Sequence, residues 1–274
     1  MKTYVINLAR CKERRRHITR QLELCGLAWE LVEGVDARKA GDAILGPRYV
    51  TAEFKAAASG PPTAERGSLR PGAVTCALAH KLAFERLIAE GGSWSLVLED
   101  DVELPRDVGR LAEDIGAQTC PHRAEVVLLN FHKPGGLELR RTGAVALVGG
   151  RLLASPVDLT NLTSGAAYIL TSEAAKRLAS SAFPMKAFSD EWGSFVQQGV
   201  LEQVRVVAPM PVRQSPAFRT TIDYYAPMSF SWCTRELAYY LKVDRLPGLR
   251  SLWVRRRLKD MQRWGALGSF RVLP

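Results

Sequence analysis

Alternating runs of apolar and polar residues predict strands and helices in succession along most of the chain. The β-branched run TYVINL, residues 3–8, predicts a strand. Ile18 and Leu22 then have helical spacing in a segment that ends at Gly26. A second strand is predicted in WELVEGVDAR, residues 29–38. This β-α-β opening is typical of a nucleotide-binding α/β sheet.

The alternation is interrupted once and then resumes. Residues 38–72 are rich in Gly and Pro towards their end and predict a loop. Residues 73–92 regain helical periodicity, and SWSLVLEDDV, residues 93–102, follows as a strand that is apolar on both faces. Such a strand is expected inside a parallel sheet. The same reasoning predicts strands at 124–131 and 204–212 and a strand followed by a helix in 164–181, capped by Thr171 or Ser172.

The last part of the chain has a different composition. We expect an α/β domain over residues 1–214, a Rossmann-like mixed sheet flanked by helices, and a basic, amphipathic helical region over 215–274. From Arg245 to the end there are seven Arg and one Lys against Asp260 alone. Leucine and tryptophan side chains interleaved with arginine are typical of a segment that lies on a membrane surface. A helix packed on its own domain and a basic nucleic-acid arm are the alternatives.

Charge and cysteine usage narrow the class of protein. The 274 residues carry a formal net charge of +10, which predicts attraction to nucleic acid, anionic lipid or a phosphorylated substrate. The five cysteines are scattered and form no CxxC pair, so we expect reduced thiols in a cytoplasmic protein, without a zinc site and without disulfides. Cys76 lies in an apolar helical segment and is expected in the core. No signal peptide and no apolar run of membrane-spanning length is recognisable.

Four carboxylates crowd the end of the apolar run in SLVLEDDVEL, residues 95–104. Because like charges repel, Glu99, Asp100 and Asp101 indicate either a bound cation or a solvated acidic turn. Carboxylate oxygens are the ligands that Mg²⁺ and Mn²⁺ prefer. In an extended segment Glu99 and Asp101 point to one side and can chelate one ion, whereas Asp100 points away.

Four motifs in order resemble glycosyltransferase family 25. VINLARCKERRRH is similar to the family's opening, in which a strand ends in Asn-Leu and an Arg pair follows, here Asn7, Leu8, Arg14 and Arg15. GAVTCALAH resembles its Gly-x-x-Gly-Cys-Ala-x-Ser-His segment, LVLEDDVEL its Leu-Glu-Asp-Asp segment, and TSGAAYILTSEAAKRL a later small-residue and tyrosine pattern. Thr75 and Ala79 depart from the family's Gly and Ser, but neither change removes an ionisable group.

The resemblance implies a GT-A type fold and transfer, with inversion, of a sugar from a UDP-sugar donor. It also implies a divalent ion, Mn²⁺ or Mg²⁺, held by the acidic triplet, and in bacteria an acceptor that is commonly lipooligosaccharide. A sugar that leaves a diphosphate needs cations at the leaving group, and the acceptor hydroxyl needs a carboxylate to take its proton. Glu99 and Asp101 suit the metal role.

A second pair of acids lies between aromatic residues in FSDEWGSF, residues 188–195. Partial desolvation raises a carboxylate's pKa, so Asp190 and Glu191 are candidate catalytic bases. The family's usual Asp after this Pro-containing loop favours Asp190, and Trp192 is a candidate stacking platform for the acceptor. The alternative is that Ser189 caps a helix whose first turn holds both acids.

Donor contacts are expected where the first strand ends and the first helix begins, because nucleotides dock there in such sheets. Asn7, Arg14 and Arg15 are the candidates, with a solvated helix face as the alternative for the arginines. His80 is either a donor contact or a satisfied, semi-buried histidine. Asp100 is a candidate partner of the metal site or of the donor ribose.

We therefore expect a cytoplasmic enzyme, peripherally associated with the inner membrane. It is predicted to transfer a hexose, galactose in preference to glucose, from a UDP-sugar to a lipid-anchored lipopolysaccharide or lipooligosaccharide core. The alternatives are a glucosyltransferase of the same family and a nucleic-acid-binding protein with a degenerate transferase domain. The intact acidic triplet argues against the last alternative, so no nucleic-acid partner is expected.

Overall fold

The computed structural model describes residues 1–58, 69–218 and 270–273, which form an α/β structure. Its helices are α1 (Lys12–Leu24), α2 (Ala37–Ala40), α3 (Ala52–Ala58), α4 (Pro71–Glu90), α5 (Val108–Ala117), α6 (Ser172–Ser181) and α7 (Trp192–Gln197), with short 3₁₀ helices at Asp42–Leu45 and Val148–Gly150. Its strands are β1 (Lys2–Asn7), β2 (Trp29–Glu33), β3 (Trp94–Glu99), β4 (Val102–Glu103), β5 (Glu125–Leu128), β6 (Leu137–Arg140), β7 (Val145–Leu147), β8 (Arg151–Ala154), β9 (Ala167–Thr171), β10 (Gln203–Ala208), β11 (Arg213–Gln214) and β12 (Phe270–Leu273).

An eight-stranded mixed sheet has the order β2-β1-β3-β9-β5-β10-β8-β7. β1 runs parallel to both β2 and β3, and β5 runs parallel to β10. β9 lies between β3 and β5 and is antiparallel to both. The predicted mixed sheet is thus confirmed, but the expectation that β3 lies within a parallel sheet is wrong on one side. Apolar residues on both faces of a strand indicate helices above and below it, and they do not fix the direction of its neighbours.

Helices cover both faces of this sheet, which confirms the layered arrangement predicted from the sequence. Successive strand residues point to opposite faces, so Tyr4 and Val5 belong to different parts of the core. One part packs side chains of α4, α6 and α7 on the sheet, and the other packs side chains of α1 and α5 on the opposite face. The helical residues concerned are Phe84, Leu87, Leu178, Trp192 and Phe195 in the first part, and Ile18, Leu22, Leu111 and Ile115 in the second.

The segment predicted as a loop, residues 38–72, contains helical structure in its described part. After α2 come the 3₁₀ helix at Asp42–Leu45 and then α3. Buried Ile44 and Phe54 form a third apolar cluster with residues of α4 and of the segment before α7. A few apolar residues are sufficient to fold this segment because other elements supply the remainder of the core. Residues 59–68 lie outside the described part.

Two helix starts test the predicted capping residues. Thr171 caps α6, since its side-chain oxygen accepts a hydrogen bond from the Ala174 amide at 3.2 Å. The alternative that Ser189 caps the next helix is wrong, because α7 begins at Trp192 and Glu191 occupies the N-cap position.

The described residues after the main sheet return to the domain. β11 pairs antiparallel with β4, directly after the acidic triplet, and β12 pairs parallel with β6. Most of the basic region predicted over 215–274, namely residues 219–269, lies outside the described part, so its helical character and the boundary at 214 stay predictions. Among the helices that the structure describes, none combines the length and the apolar composition needed to cross a bilayer.

Candidate active site

A cleft of about 580 Å³, including its open mouth, lies beyond the carboxyl ends of β1, β2 and β3. Open α/β sheets bind ligands at such edges, because the ends of neighbouring parallel strands meet there and leave polar groups unshielded. The first turns of α4 close one side. The lining residues are Ile6, Asn7, Leu8, Arg10, Arg14, Gly34, Val35, Ala37, Gly72, Thr75, Cys76, Ala79, Glu99 and Asp100.

The acidic triplet departs from the geometry expected of an extended strand. β3 ends at Glu99, and Asp100 and Asp101 lie in a turn. Glu99 and Asp100 therefore both line the cleft, whereas Asp101, which is as buried as Asp100, is not part of the described lining. The expectation that Glu99 and Asp101 share one side and Asp100 points away is wrong, because residue alternation ends where the strand does.

The cation that faces this turn in the structure is a guanidinium. Arg14 Nη1 donates to Asp100 Oδ1 at 2.7 Å, and Arg14 Nη2 lies 3.0 Å from Asp101 Oδ2. Asn7 Nδ2 donates to the other Asp100 oxygen at 2.7 Å. Burial raises the pKa of Asp100, although Arg14 and Asn7 oppose that shift. The first strand and the first helix thus fix the carboxylate of Asp100 at the cleft wall.

Residues after β10 cover the same turn. The Ser215 amide donates to the Asp101 carbonyl oxygen at 2.6 Å, next to the pairing of β11 with β4. The ring of Phe218 lies 5.6 Å from the Arg14 guanidinium carbon, at a distance typical of a cation–π contact. The Arg14 ion pairs are therefore shielded from water. Asp100 and Asp101 thus stabilise the fold through these ion pairs.

These contacts decide how the predicted divalent ion fits the triplet. The Glu99 side chain is 25% exposed and faces the cleft, so its carboxylate is accessible to an ion. Asp100 and Asp101 already bind Arg14, and Asp101 would have to exchange that ion pair for the metal. Of the two predicted ligands, Glu99 fits directly and Asp101 fits only after rearrangement.

Glu99 instead has a histidine and a cysteine as neighbours. His80 Nε2 lies 3.7 Å from Glu99 Oε1, and His80 Nδ1 forms a 2.8 Å hydrogen bond with the Tyr168 hydroxyl. Burial alone would lower the pKa of His80, but Tyr168 and Cys76 outweigh it, and the pKa is raised well above its usual value. Of the two alternatives for His80, the structure agrees with a buried histidine that has hydrogen-bonding partners. The residue lies behind Glu99 and is not part of the described cleft lining.

Cys76 does not have the core position expected from its apolar helix. It is half-buried, lines the cleft, and precedes His80 by one helical turn on α4. Its sulfur, a His80 ring nitrogen and a Glu99 oxygen all lie within 4.8 Å of one another. The sequence signal that could have indicated this group is the spacing C-x₃-H, which places both side chains on one helix face.

The two candidate bases have different environments. Asp190 is half-buried, and burial together with the charges of Glu191 and Glu99 raises its pKa to about 6. Glu191 Oε2 accepts a hydrogen bond from the Phe188 amide at 3.1 Å, which ties it to the backbone before α7. The raised pKa of Asp190 suits a general base, whereas Glu191 stabilises the local turn, and neither residue is part of the described cleft lining.

Trp192 does not form the predicted stacking platform, because only 1% of its surface is exposed. It packs edge-on against Tyr168, with ring centroids 5.1 Å apart, and its Nε1 donates to the Ser164 carbonyl oxygen at 2.9 Å. Ser164 has a φ of 120°, a strained value for a residue other than glycine. Trp192 thus anchors the strained turn that precedes β9.

The two remaining donor candidates next to Asn7 are separated by their helix position. Arg14 is buried and lines the cleft, whereas Arg15 is exposed on α1 and is absent from the cleft lining that the structure describes. Arg15 therefore lies on the solvated face of the helix, as one alternative predicted, whereas Arg14 lies at the cleft, as the other predicted. Two consecutive helix positions lie about 100° apart, so a single cleft wall does not accommodate both.

Two solved structures are similar to the chain at low TM-scores: a glycosyltransferase involved in the glycosylation of the major capsid of PBCV-1 (TM-score 0.35, 9% identity, 75% of this chain and 79% of that chain), and mannose-1-phosphate geranyltransferase from Thermus thermophilus (TM-score 0.33, 16% identity, 77% and 75%). A comparison with curated sequences found no significant match. Residues 1–133 match the sequence model described as Glycosyltransferase family 25 (LPS biosynthesis protein). This match confirms the resemblance carried by the motifs that lie within these residues.

Proposed function

We propose that the cleft binds a UDP-hexose and that the chain transfers the hexose, with inversion, to a lipid-anchored lipopolysaccharide or lipooligosaccharide core. Galactose is the preferred hexose and glucose the alternative. The observation that carries the proposal is the meeting of Asn7, Arg14, Glu99 and Asp100 at the carboxyl ends of parallel strands in a family 25 sequence.

The cleft has the charges that an anionic donor needs. Arg10 and Arg14 line it, although Arg10 is paired with Asp36 and Arg14 with Asp100 and Asp101. The amino-terminal turn of α4 also faces the cleft, and its helix dipole favours a diphosphate. Gly34 also lines the cleft, and a Cβ added there would approach Leu8 to 3.2 Å. In the proposed complex the nucleoside lies along β1 and β2, and the diphosphate lies between Arg14 and α4.

A divalent ion, Mn²⁺ or Mg²⁺, is part of the proposal. When bound, such an ion neutralises charge that develops on the leaving diphosphate. Glu99 is the triplet residue that would hold it without rearrangement, with Asp101 as the second ligand of the original prediction. Asp100 keeps its bonds to Asn7 and Arg14 and faces the donor.

Asp190 is proposed as the base. Its carboxylate takes the proton of the acceptor hydroxyl as that oxygen attacks the anomeric carbon, while the bond from this carbon to the β-phosphate oxygen breaks and UDP leaves. A pKa of about 6 keeps Asp190 ionised near neutral pH and basic enough to accept the proton. A single displacement of this kind inverts the anomeric configuration.

The acceptor and the location of the protein are inferred from charge. The chain carries +10 net charge, much of it in the basic region over 215–274, which fits a protein that works in the cytoplasm on the anionic surface of the inner membrane. A lipid-anchored acceptor would be presented at that surface.

Isothermal titration of the full chain tests the donor assignment. UDP, UDP-galactose and UDP-glucose are each titrated with and without Mn²⁺, with GDP-mannose and a single-stranded oligonucleotide as controls. We expect binding of the uridine ligands, strengthened by Mn²⁺, and no comparable binding of GDP-mannose. Oligonucleotide binding without UDP binding would favour the nucleic-acid alternative. The anomeric configuration of a product glycoside, measured by NMR, tests inversion.

A further inference from the structure

Three side chains that the sequence did not group together meet at the cleft wall. We propose that Cys76, His80 and Glu99 form a site for one borderline divalent transition ion of the zinc type. The site shares only Glu99 with the proposed Mn²⁺ or Mg²⁺ site, so the two ions are alternatives at this carboxylate. It rests on the proposed function only in the statement that the ion would face the donor diphosphate.

The separations of the ligand atoms suit one small ion. Zinc binds nitrogen and carboxylate oxygen at about 2.0–2.2 Å and thiolate sulfur at about 2.3 Å, so neighbouring ligand atoms of a tetrahedral site lie roughly 3.3–3.7 Å apart. His80 Nε2 and Glu99 Oε1 are separated by 3.7 Å, which is too long for a good hydrogen bond. Cys76 Sγ and these two atoms all lie within 4.8 Å of one another. Small side-chain movements would therefore bring the three atoms to the separations of a tetrahedral zinc site.

Tyr168 orients the histidine for coordination. Its buried hydroxyl is 2.8 Å from His80 Nδ1, on the ring side opposite Glu99. When the Nδ1–H group donates to this hydroxyl oxygen, the Nε2 lone pair is directed at Glu99 and Cys76. A ligating histidine almost always has such a partner on its other nitrogen.

Gly165 leaves the space that an ion requires. A Cβ added at this position would lie 3.0 Å from His80 Nε2 and 3.6 Å from Glu99 Oε1, close to both ligand atoms. The turn that holds Gly165 in place is anchored by the hydrogen bond from Trp192 to Ser164. The absence of a side chain at residue 165 is therefore a feature of the ligand pocket as well as of the turn.

The ligand types select the class of ion. A thiolate and an imidazole favour Zn²⁺ or Co²⁺ over the hard ion Mg²⁺, and three protein ligands leave one coordination position open. Cys76 and Glu99 both line the cleft, so that open position faces it. This arrangement has the form of a catalytic metal site rather than that of a closed structural one.

Metal content and cobalt spectroscopy of the full chain test the proposal without any nucleotide. The protein is stripped with a chelator, dialysed against Zn²⁺ or Co²⁺, and analysed by inductively coupled plasma mass spectrometry. We expect one equivalent of either ion, and for Co²⁺ a near-ultraviolet thiolate-to-cobalt band. The Cys76→Ser variant should lose this band, whereas the matched Cys120→Ser variant, which changes an exposed cysteine, should keep it.

Variants that leave the ligands intact keep the test independent of folding. Tyr168→Phe removes the hydroxyl behind His80 and should weaken Zn²⁺ binding 10- to 100-fold, roughly the effect of losing such a partner elsewhere. Tyr4→Phe, in the same part of the core, is the control and should bind normally. Gly165→Ala should block the ion while all three ligands remain.

Two results would overturn the proposal. The first is less than one equivalent of bound metal per chain, and the second is a full equivalent that remains bound in both the Cys76→Ser and the Tyr168→Phe variants. Failure of the proposed function has a different signature, because it appears as absent UDP binding in titrations of the metal-loaded protein. A chain that binds zinc through Cys76 but no UDP would retain this site and lose the donor assignment.

Discussion

At the scale of single residues, Arg14 bridges two buried carboxylates that would otherwise repel each other. Its guanidinium contacts both Asp100 and Asp101, and Phe218 shields it from water. Arg14→Leu leaves both charges buried against one another, which should lower the free energy of unfolding by about 3–5 kcal/mol. Urea denaturation followed by circular dichroism measures this change.

Arg15→Leu is the matched control for the Arg14 variant. Arg15 is the next residue on α1 but is exposed, so its loss should change the free energy of unfolding by no more than about 0.5 kcal/mol. Equal losses in the two variants would show that Arg14 contributes only as a helix residue.

Asp190 and Glu191 are neighbours with separable roles. Asp190→Asn should reduce kcat by roughly 10²- to 10⁴-fold, the usual contribution of a general base, with little change in donor binding. Glu191→Gln keeps an oxygen that accepts from the Phe188 amide, so its kcat should stay near that of the unaltered protein. A larger loss in Glu191→Gln than in Asp190→Asn would identify Glu191 as the base.

The pH profile provides a second readout for the same pair. The base acts when it is ionised, so kcat/KM should rise with pH through a value near 6, the pKa of Asp190. The charge of Glu191 contributes to raising that pKa, and Glu191→Gln should therefore move the rise in kcat/KM to lower pH.

The raised pKa of Asp190 also makes the folded protein less stable when this residue is ionised. The free energy of unfolding should fall as pH rises from about 4 to 6 and stay lowered above that range. Asp190→Asn should consequently be more stable than the unaltered protein at pH 7, which thermal unfolding measures.

Residues at strand ends were predictable from sequence, and residues placed by long-range packing were not. Asn7, Glu99 and Asp100 meet because parallel strands end at a common edge, which the strand pattern already implied. The burial of Trp192 depends on its contacts with β9 and with the turn before it, which no local pattern shows. The partial exposure of Cys76 depends in the same way on where α4 meets the cleft.

At the scale of elements, the turn between β8 and β9 connects the core to the site. Its residue Ser164 has a left-handed backbone and is held by Trp192 on one side and, through its hydroxyl, by Asn130 at 2.6 Å on the other. The next residue, Gly165, lies against His80 and Glu99. Strain at such a turn persists only when surrounding contacts fix it.

Trp192→Phe removes the hydrogen bond to this turn and retains most of the ring. Leaving the partly buried Ser164 carbonyl oxygen without its donor should cost about 0.5–1.5 kcal/mol of stability and lower kcat, because Gly165 is released towards its preferred conformations. Steady-state kinetics and thermal unfolding measure the two effects. Trp94→Phe is the control, since Trp94 begins β3 at the end opposite Glu99 and should leave kcat unchanged. If both variants had the same kcat, the turn would be irrelevant to the site.

The segment 38–72 shows why helices can be missed in a Gly- and Pro-rich stretch. Its Gly and Pro residues are concentrated near its end, whereas α3 consists largely of alanines and one buried aromatic residue, Phe54. Phe54 packs edge-on against Phe188, with ring centroids 5.2 Å apart. Helical periodicity needs several apolar positions to be recognised, and a seven-residue helix with its partners elsewhere in the chain supplies too few.

At the scale of the whole molecule, deleting the C-terminal region is a poor test of membrane association. β12 pairs with β6, and a truncation from residue 245 would remove that pairing together with the basic residues. A loss of vesicle binding would then have two explanations. Substituting charges while keeping the chain length separates electrostatic attraction from the contribution of β12 to the fold.

Replacing Arg255, Arg256 and Arg257 by Gln is the sharper experiment. Each basic residue near an anionic membrane contributes about 1 kcal/mol of attraction, so the triple variant should bind vesicles containing phosphatidylglycerol roughly 100-fold more weakly. Sedimentation with such vesicles at low and high salt measures this, and binding of the unaltered chain should fall with salt because exposed charges are screened. The control replaces Arg16, Arg20 and Arg106, which are exposed on the described domain, by Gln, for the same change in net charge. Equal losses in the two triple variants would mean that net charge alone attracts the protein to membranes, and the surface role of the region over 215–274 would then be wrong.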